Sequence, residues 1–425
     1  MAAPAPRVAD ARVSHLLRPL LPLAWVTVLA GLTGAFVSPY LPLFLSRTLH
    51  ADPVQVATFL FLTPLSAIVI AIVLGRLSDW PGMRHRILIA AAGAGGLGFT
   101  LFAVMRNYWG LLGVAVTFVA VAGSLMAQIF AYGRQVIDRG DPNRAALGIS
   151  ALRTLLSLAW VAGPPLGALL IAGTGFRGLF LATAAGYLVM LAVLLIWRWD
   201  AGTATRSQAG PDPMAPHAPS GAGVATITLL GTVVAFVSLQ CAATLGAEAL
   251  PLFLNEDLHR GVSDAGLVLG LCAALEIPLM LLSGALASRW PLRRLMLLGG
   301  GFGVAYYAVV SISDSVWQVA AAQVLNAGFI ACATGLGISY VQDLMPGLPG
   351  RATTMFTNSN RIGAMLAGPL LGVAQHYGYR LAYGVGAGLC VTGLVLLALT
   401  RVPTVRRPAV LLQPVAHPAP ASTPA

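Results

Sequence analysis

Long apolar stretches alternate with short polar breaks along this chain. Trimmed at charges and turn residues, the stretches fall at about 20–45, 53–75, 86–105, 108–133, 146–173, 178–197, 224–254, 262–288, 294–313, 316–341, 352–376 and 379–400. A membrane-spanning helix needs roughly 20 apolar residues. The pattern therefore predicts an all-α polytopic membrane protein with 12 transmembrane helices. The longest polar break, residues 198–223, is rich in Pro, Gly, Ala and Ser and reads as a flexible linker. The expected organisation is a cytoplasmic tail over 1–19, a six-helix bundle over 20–197, the cytoplasmic linker over 198–223, a second six-helix bundle over 224–400 and a disordered Pro/Ala-rich tail over 401–425. The first apolar stretch, about 26 residues long, is too long for a signal-peptide core and reads as an uncleaved first helix.

Composition supports the membrane class. Hydrophobic residues make up 57% of the 425 residues, charged residues only 9%, and the mean hydropathy is +0.82. A soluble domain carries about 25% charge, so this chain could not cover a water-facing surface. The net charge of +11 comes from 25 arginines and no lysine. On a soluble domain such a balance would suggest nucleic acid; here the arginines lie between apolar stretches, as topology signals do. The N-terminus, even-numbered loops and C-terminus hold 18 of them, the opposite loops five (Arg47, Arg106, Arg177, Arg260 and Arg380). The positive-inside rule places both termini and the linker in the cytoplasm. Arg153 and Arg361 remain, both inside spans. Cys241, Cys272, Cys332 and Cys390 each lie in an apolar stretch without metal spacing and read as small buried hydrophobes.

The two halves resemble each other. PLFLSRTLH begins at Pro42 and PLFLNEDLH at Pro251, 209 residues later. Gly75, Leu77 and Arg84 recur as Gly284, Leu286 and Arg293 at the same offset. GPPLG at Gly163 recurs as GPLLG at Gly368, and Arg144-Ala145 as Arg351-Ala352. Each half holds an even number of spans, so the repeats are parallel. That is the layout of a two-bundle secondary transporter, with its site near the midplane between the bundles.

Charges inside a bilayer need a wet cavity or a partner, since each costs on the order of 2.5–3.5 kcal/mol even on the lenient scale. Arg153 and Arg361 follow Arg144 and Arg351 by nine and ten residues, hence lie roughly 14 Å in from the cytoplasmic edge. Arg153, Ser157, Trp160 and Pro164 share one helix face, as do Gln240, Thr244, Glu248 and Pro251. Glu276 is 13 residues from Arg289, roughly 20 Å deep. Gln128, Gln323, Asn326, Asn358 and Asn360 are the uncharged polar candidates. Each also has a structural reading, as an interhelical hydrogen-bond partner or, for Trp160, a lipid-facing residue. Glu248 and Glu276 are the only acids well inside the spans.

The loop GRLSDWPGMRHR after span 2 resembles the loop signature of the major facilitator superfamily at Gly75, Leu77, Asp79, Gly82 and Arg84, with Trp80 and Met83 in place of basic residues. The second copy, GALASRWPLRR, has Ser288 where the acid stood. GPPLG in span 5 resembles a motif of proton-driven exporters in that superfamily, with Ala168 in place of its second glycine. SLAWVAGPPL at Ser157, ALEIPLMLLSG at Ala274 and QDLMPGLPGRATTMFTNS at Gln342 together resemble the bacterial sugar efflux transporter family, from the first span to the last.

The resemblance implies the major facilitator fold and export of sugars or sugar-like molecules across the cytoplasmic membrane, driven by proton antiport. It makes Gly75, Asp79, Gly82, Arg84, Gly163 and Pro164 the expected gating residues, with Asp79 a conformational latch. Sugars need fixed amide and carboxylate partners and an aromatic face. Gln128, Arg153, Trp160, Gln240, Glu248, Glu276, Asn326, Asn358 and Arg361 form the expected substrate-binding set, with Glu276 ahead of Glu248 for proton coupling. The expected partners are a sugar or glycoside, protons and the lipid bilayer, with no nucleic acid, cofactor or metal; a monomer is the default for this architecture. A drug or amphiphile exporter of the same fold and a membrane sensor that no longer transports are the alternatives. An enzyme is not expected, because no nucleophile constellation, metal cluster or phosphate loop is present.

Overall fold

The computed structural model describes residues 8–78, 80, 82–130, 142–197, 226–345 and 348–400, with side chains from position 21 onward except at 142–151, Arg153, Thr226 and Pro349. Regular secondary structure among the described residues is helical throughout, as expected where only internal hydrogen bonds can satisfy the backbone. Helix Val8–Val37 passes through a short 3₁₀ turn, Ser38–Tyr40, into Leu41–Arg47. Pro53–Leu77 and Met83–Val104 follow, then Tyr108–Val114, a π-helical segment at Ala115–Val119, Ala120–Ala122 and a helical stretch over 125–130. The remaining helices are Pro142–Ile196, Thr226–Glu256, Val262–Ala287, Leu292–Ser311, Val316–Ala333, Gly337–Leu344, Pro349–Tyr377 and Arg380–Leu399. Ten helices among the described residues are long and apolar enough to cross a membrane. Stretches 146–173 and 178–197 are counted there within one run, and Pro349–Tyr377, interrupted by Asn358, Asn360 and Arg361, stands outside the ten.

Local chemistry sets the helix ends. Asp52 caps Pro53–Leu77: its carboxylate accepts from the Gln55 N–H at 2.8 Å, and its own N–H donates to Gln55 Oε1 at 3.1 Å. Ser315 and Gln318 form the same box before Val316–Ala333. The run Pro142–Ile196 is divided at Gly175 (φ 69°, ψ −174°), and Gly378 (φ 107°) separates Pro349–Tyr377 from Arg380 onward. A residue without Cβ takes these values at no steric cost, so one glycine makes each turn. His50 and His259 occupy the same repeat position and both adopt left-handed φ, 50° and 51°. The repeat is thus written in the backbone as well as in the letters.

Helix Val8–Val37 and helix Met83–Val104 pack on Pro142–Ile196. In the second half Thr226–Glu256 packs on Pro349–Tyr377 and Arg380–Leu399, while Leu292–Ser311 packs on Val316–Ala333 and Arg380–Leu399. Helix association in lipid relies on close packing rather than on a hydrophobic drive. Phe44 meets Phe180 edge-on at 4.7 Å, and its repeat counterpart Phe253 meets Tyr383 at 5.1 Å. The halves are joined by two long crossings, Pro142–Ile196 with Val262–Ala287 and Pro53–Leu77 with Pro349–Tyr377, and by Ser38–Tyr40 and Leu41–Arg47 against Thr226–Glu256.

The repeated Gly-Pro-x-Leu-Gly block is used differently in each half. A Cβ at Gly163 would meet Ala35 Cβ at 2.2 Å, and one at Gly167 would meet Phe36 O at 3.1 Å, so the first copy seats the helix against its own half. A Cβ at Gly368 would meet Leu60 Cβ at 2.7 Å, and one at Gly372 would meet Pro53 O at 2.5 Å, so the second copy seats it against the other half. At Gly75 a Cβ would meet nothing within 4 Å among the described residues, and the same holds at Gly284.

Candidate functional site

The crossing of Pro142–Ile196 with Val262–Ala287 creates the site. At Gly266 a Cβ would meet Ala168 Cβ at 2.5 Å, and at Gly270 it would meet Pro165 Cγ at 2.5 Å, so the two backbones touch at that level. A turn or two further toward the arginine-rich ends the helices part. There they leave a cavity of ≈ 300 Å³ lined by Leu156, Ser157, Trp160, Ala273, Glu276, Ile277 and Met280. Pro164 and Pro165 carry no N–H, so the carbonyls of Trp160 and Val161 lack their i+4 helical donors. The Pro164 carbonyl accepts from Tyr40 Oη at 2.7 Å, tying this stretch to the 3₁₀ turn that follows the first helix.

Three polar or aromatic groups thus meet at the junction of the halves: the Trp160 indole, the Ser157 hydroxyl and the Glu276 carboxyl. An indole gives a sugar ring an apolar face, while a carboxylate and a hydroxyl accept from or donate to its hydroxyls. Trp160 is 42% exposed, so its ring is available to the cavity. Beside it, Asn326 Nδ2 donates to Gln323 Oε1 at 2.9 Å and to Cys272 Sγ at 3.3 Å, and Gln323 Nε2 donates to Tyr306 Oη at 3.4 Å. Cys272 lies one turn before Glu276, so this chain of side chains ends next to the carboxyl.

The other expected binding residues whose side chains are described do not line this cavity. Gln240 Nε2 donates to Thr244 Oγ1 at 3.3 Å on its own helix. One carboxyl oxygen of Glu248 and the Gln128 Oε1 are buried with no hydrogen-bond partner among the described residues. Asn358 is exposed, and Arg361 is half-buried with no ion pair among the described residues. Arg153 lies on helix Pro142–Ile196, but its side chain is outside the described residues. Of the expected gating residues, Asp79 is outside the described residues. Gly82 (φ 75°) turns the chain into Met83–Val104, and the Arg84 Nε is buried with no partner among the described residues. Gly163 and Pro164 serve the helix contacts already described. Leu156, Ala273, Ile277 and Met280 escaped sequence reasoning because apolar residues carry no signal in an apolar chain, although Ala273, Ile277 and Met280 sit at helical spacing around Glu276. Among the described residues no group of His, Cys, Asp or Glu could hold a metal ion.

At the opposite end from the arginine-rich loops, the halves are pinned together. Arg47 Nε and Glu256 Oε1 form an ion pair at 2.7 Å between repeat-equivalent positions. Gln375 Nε2 donates to the Ala51 carbonyl at 3.1 Å across the other crossing. Arg380 pairs with Asp314 at 2.6 Å and lies over the Phe253 ring at 5.6 Å. Burial pushes the Asp257 carboxyl above the ordinary carboxylate range, although the Arg380 charge opposes the shift. Burial likewise raises the Tyr379 hydroxyl.

A mostly apolar helical chain whose halves leave between them a cavity holding a carboxyl, a hydroxyl and an indole has the build of a membrane transporter. Comparison with known proteins narrows the class. The Major Facilitator Superfamily model matches residues 23–309 and 228–422. Sugar efflux transporter A of Dickeya chrysanthemi is 33% identical over 395 residues, 90% of this chain and 98% of that protein. Sugar efflux transporter A of Escherichia coli K12 is 32% identical over 374 residues, 88% of this chain and 94% of that protein. The crystal structure of the nucleoside transporter NupG superposes with a TM-score of 0.75 at 13% identity, covering 90% of this chain and 98% of that one. A bacterial homologue of the lysosomal transporter Spinster, in an inward-facing and occupied conformation, gives 0.70 at 13% identity, covering 90% and 94%. The chain belongs to the sugar efflux transporter family of the major facilitator superfamily. Members of this superfamily are transporters, not enzymes, so this is a multi-pass membrane transport protein.

Proposed function

We propose that this protein exports sugars or sugar-like small molecules across the bacterial cytoplasmic membrane by proton antiport with alternating access. The observation that carries the reading is the cavity in which Trp160, Ser157 and Glu276 meet at the junction of the two halves. The names and extent of the relatives support the sugar class. In this reading the chain spans the membrane twelve times in two parallel six-helix bundles, 20–197 and 224–400. Division of Pro142–Ile196 at Gly175 supports two spans there, and the 29-residue length of Pro349–Tyr377 supports another. Both termini and the 198–223 linker are cytoplasmic, from the arginine distribution.

The outer end is closed by Arg47–Glu256, and at the inner end a Cβ at Gly75 or Gly284 would meet nothing within 4 Å among the described residues. This combination supports an inward-open state, with Asp79 and Arg84 belonging to the contacts that form when the inner end closes. Glu276 binds substrate or carries the proton. Glu248, whose sealed oxygen lacks a partner, is the second candidate for the proton. Gln128, Arg153, Gln240, Asn326, Asn358 and Arg361 complete the proposed set, reaching substrate as the helices rearrange. The protein works as a monomer.

The test is counterflow in liposomes with labelled mono- and disaccharides, beside the Trp160→Ala variant. Saturable sugar counterflow that Trp160→Ala weakens is expected. Counterflow of none of the sugars would overturn the reading. The apolar wall formed by Leu156, Ala273, Ile277 and Met280 favours one second reading, an amphiphile exporter; the same liposomes challenged with an amphiphilic cation would identify it.

A further inference from the structure

The outward face of helix Leu292–Ser311 carries a groove of ≈ 560 Å³ lined by Trp290, Arg294, Leu297, Leu298, Gly301 and Phe302. None of these residues lines the Trp160–Glu276 cavity. Arg294, Leu298 and Phe302 succeed one another at four-residue spacing, so the groove runs along the helix from a charged end to an apolar one. A Cβ at Gly301 would meet nothing within 4 Å, which leaves the groove floor open. Arg294 and Phe302 are eight residues apart, about 12 Å along the helix. That length fits inside one leaflet, half of a hydrocarbon core of about 30 Å.

The charged end is unusually cationic. Arg289, Arg293 and Arg294 stand within six residues, and no acid occurs between Glu276 and Asp314. Arg293 is used by the fold, donating through Nη2 to the Ala398 carbonyl. Arg289 and Arg294 are exposed, and their side chains make no hydrogen bond or ion pair among the described residues. Pro291 caps the helix without a side-chain acceptor; its carbonyl takes the Arg294 N–H at 2.9 Å, and the helix start carries the positive end of the helix dipole. Trp290 is 45% exposed beside them, where an indole anchors at the membrane interface.

A free phosphate would engage the arginines and leave the apolar channel empty. An uncharged acyl chain would fill the channel and leave two cations unanswered. One molecule satisfies both. We infer that this groove is a binding site for a phospholipid with an anionic headgroup from the arginine-rich leaflet. Its phosphate rests on Arg289 and Arg294, and one acyl chain lies over Leu298, Gly301 and Phe302. The site goes beyond the transport reading and depends only on the protein being embedded in a bilayer.

Native mass spectrometry of the full-length, detergent-purified protein tests it, with phosphatidylglycerol and phosphatidylcholine of identical chains titrated in parallel. Wild type is expected to retain phosphatidylglycerol in preference. Arg289→Gln and Arg294→Gln should each lower that preference roughly fivefold, the effect of about one surface cation. Gly301→Leu, which fills the groove from its floor while improving helix propensity, should lose the tightly held lipid at an unchanged melting temperature. Excess inorganic phosphate should not displace it. Equal retention of the two lipids by wild type would overturn the inference. So would wild-type retention in Gly301→Leu, or displacement by phosphate alone, which would reduce the site to a surface anion contact.

Discussion

Reversing the charge at either end of the Arg47–Glu256 pair is expected to open the outer end of the transporter, and reversing both is expected to close it again. The pair joins repeat-equivalent positions across the two halves at 2.7 Å, with side chains 51% and 38% exposed. At that exposure a pair contributes only roughly 0.2–1 kcal/mol. Arg47→Glu removes it and adds a like-charge repulsion on the order of 1 kcal/mol at about 4 Å in water-like surroundings. The combined effect, on the order of 1–2 kcal/mol, changes a two-state population by roughly fivefold to thirtyfold. Spin labels at Val54 and Tyr377, 74% and 73% exposed on the two helices that cross at this end, would report the separation. Arg47→Glu and Glu256→Arg should each raise the long-distance population, and the double variant should restore the wild-type distribution. A double variant as open as the single ones would show that the residues do not act as a pair. Unchanged distances in all three would remove this contact from the gate.

Three further outcomes follow from the same geometry. Glu276→Gln keeps shape without titration, so it should abolish pH-driven export and spare counterflow; loss of counterflow would make Glu276 a binding residue, and full proton-driven export in both Glu276→Gln and Glu248→Gln would move coupling elsewhere. Gly163→Val should destabilise the fold by about 1–3 kcal/mol, because its first carbon meets Ala35 Cβ at 2.2 Å, whereas Gly75→Ala has open space and should leave the melting temperature unchanged; equal melting temperatures for the two would contradict the packing. Burial raises the Asp257 carboxyl, so the folded protein holds that proton more tightly than the unfolded chain. The stability it contributes is complete below the ordinary carboxylate range and is lost as pH rises through the raised value. Asp257→Asn should therefore gain melting temperature relative to wild type as pH rises, and a pH-independent difference would refute the assignment.

The sequence by itself determined the class and much of the layout, because those depend on local properties. Apolar stretch length marked the helices, including the pair separated at Gly175. The repeated PLFL segments announced equivalent turns, and His50 and His259 duly share a left-handed backbone. Strings around Ser157, Ala274 and Gln342 led to the family that the comparisons show. Within a helix, periodicity also put Ser157 and Trp160 on one face. Tertiary structure decided what periodicity cannot see, namely which faces of distant helices meet. Trp160 and Glu276 are 116 positions apart in sequence, yet they line one cavity because Gly266 and Gly270 let two backbones touch a few turns away. Gln240, Glu248 and Asn358 looked equally suitable by type, and only the packing shows that they lie outside that lining. The two Gly-Pro-x-Leu-Gly blocks read alike, and only packing sent one against its own half and the other across the molecule. Residue type sets what a side chain can do, whereas the fit of one helix against another sets which partner it meets.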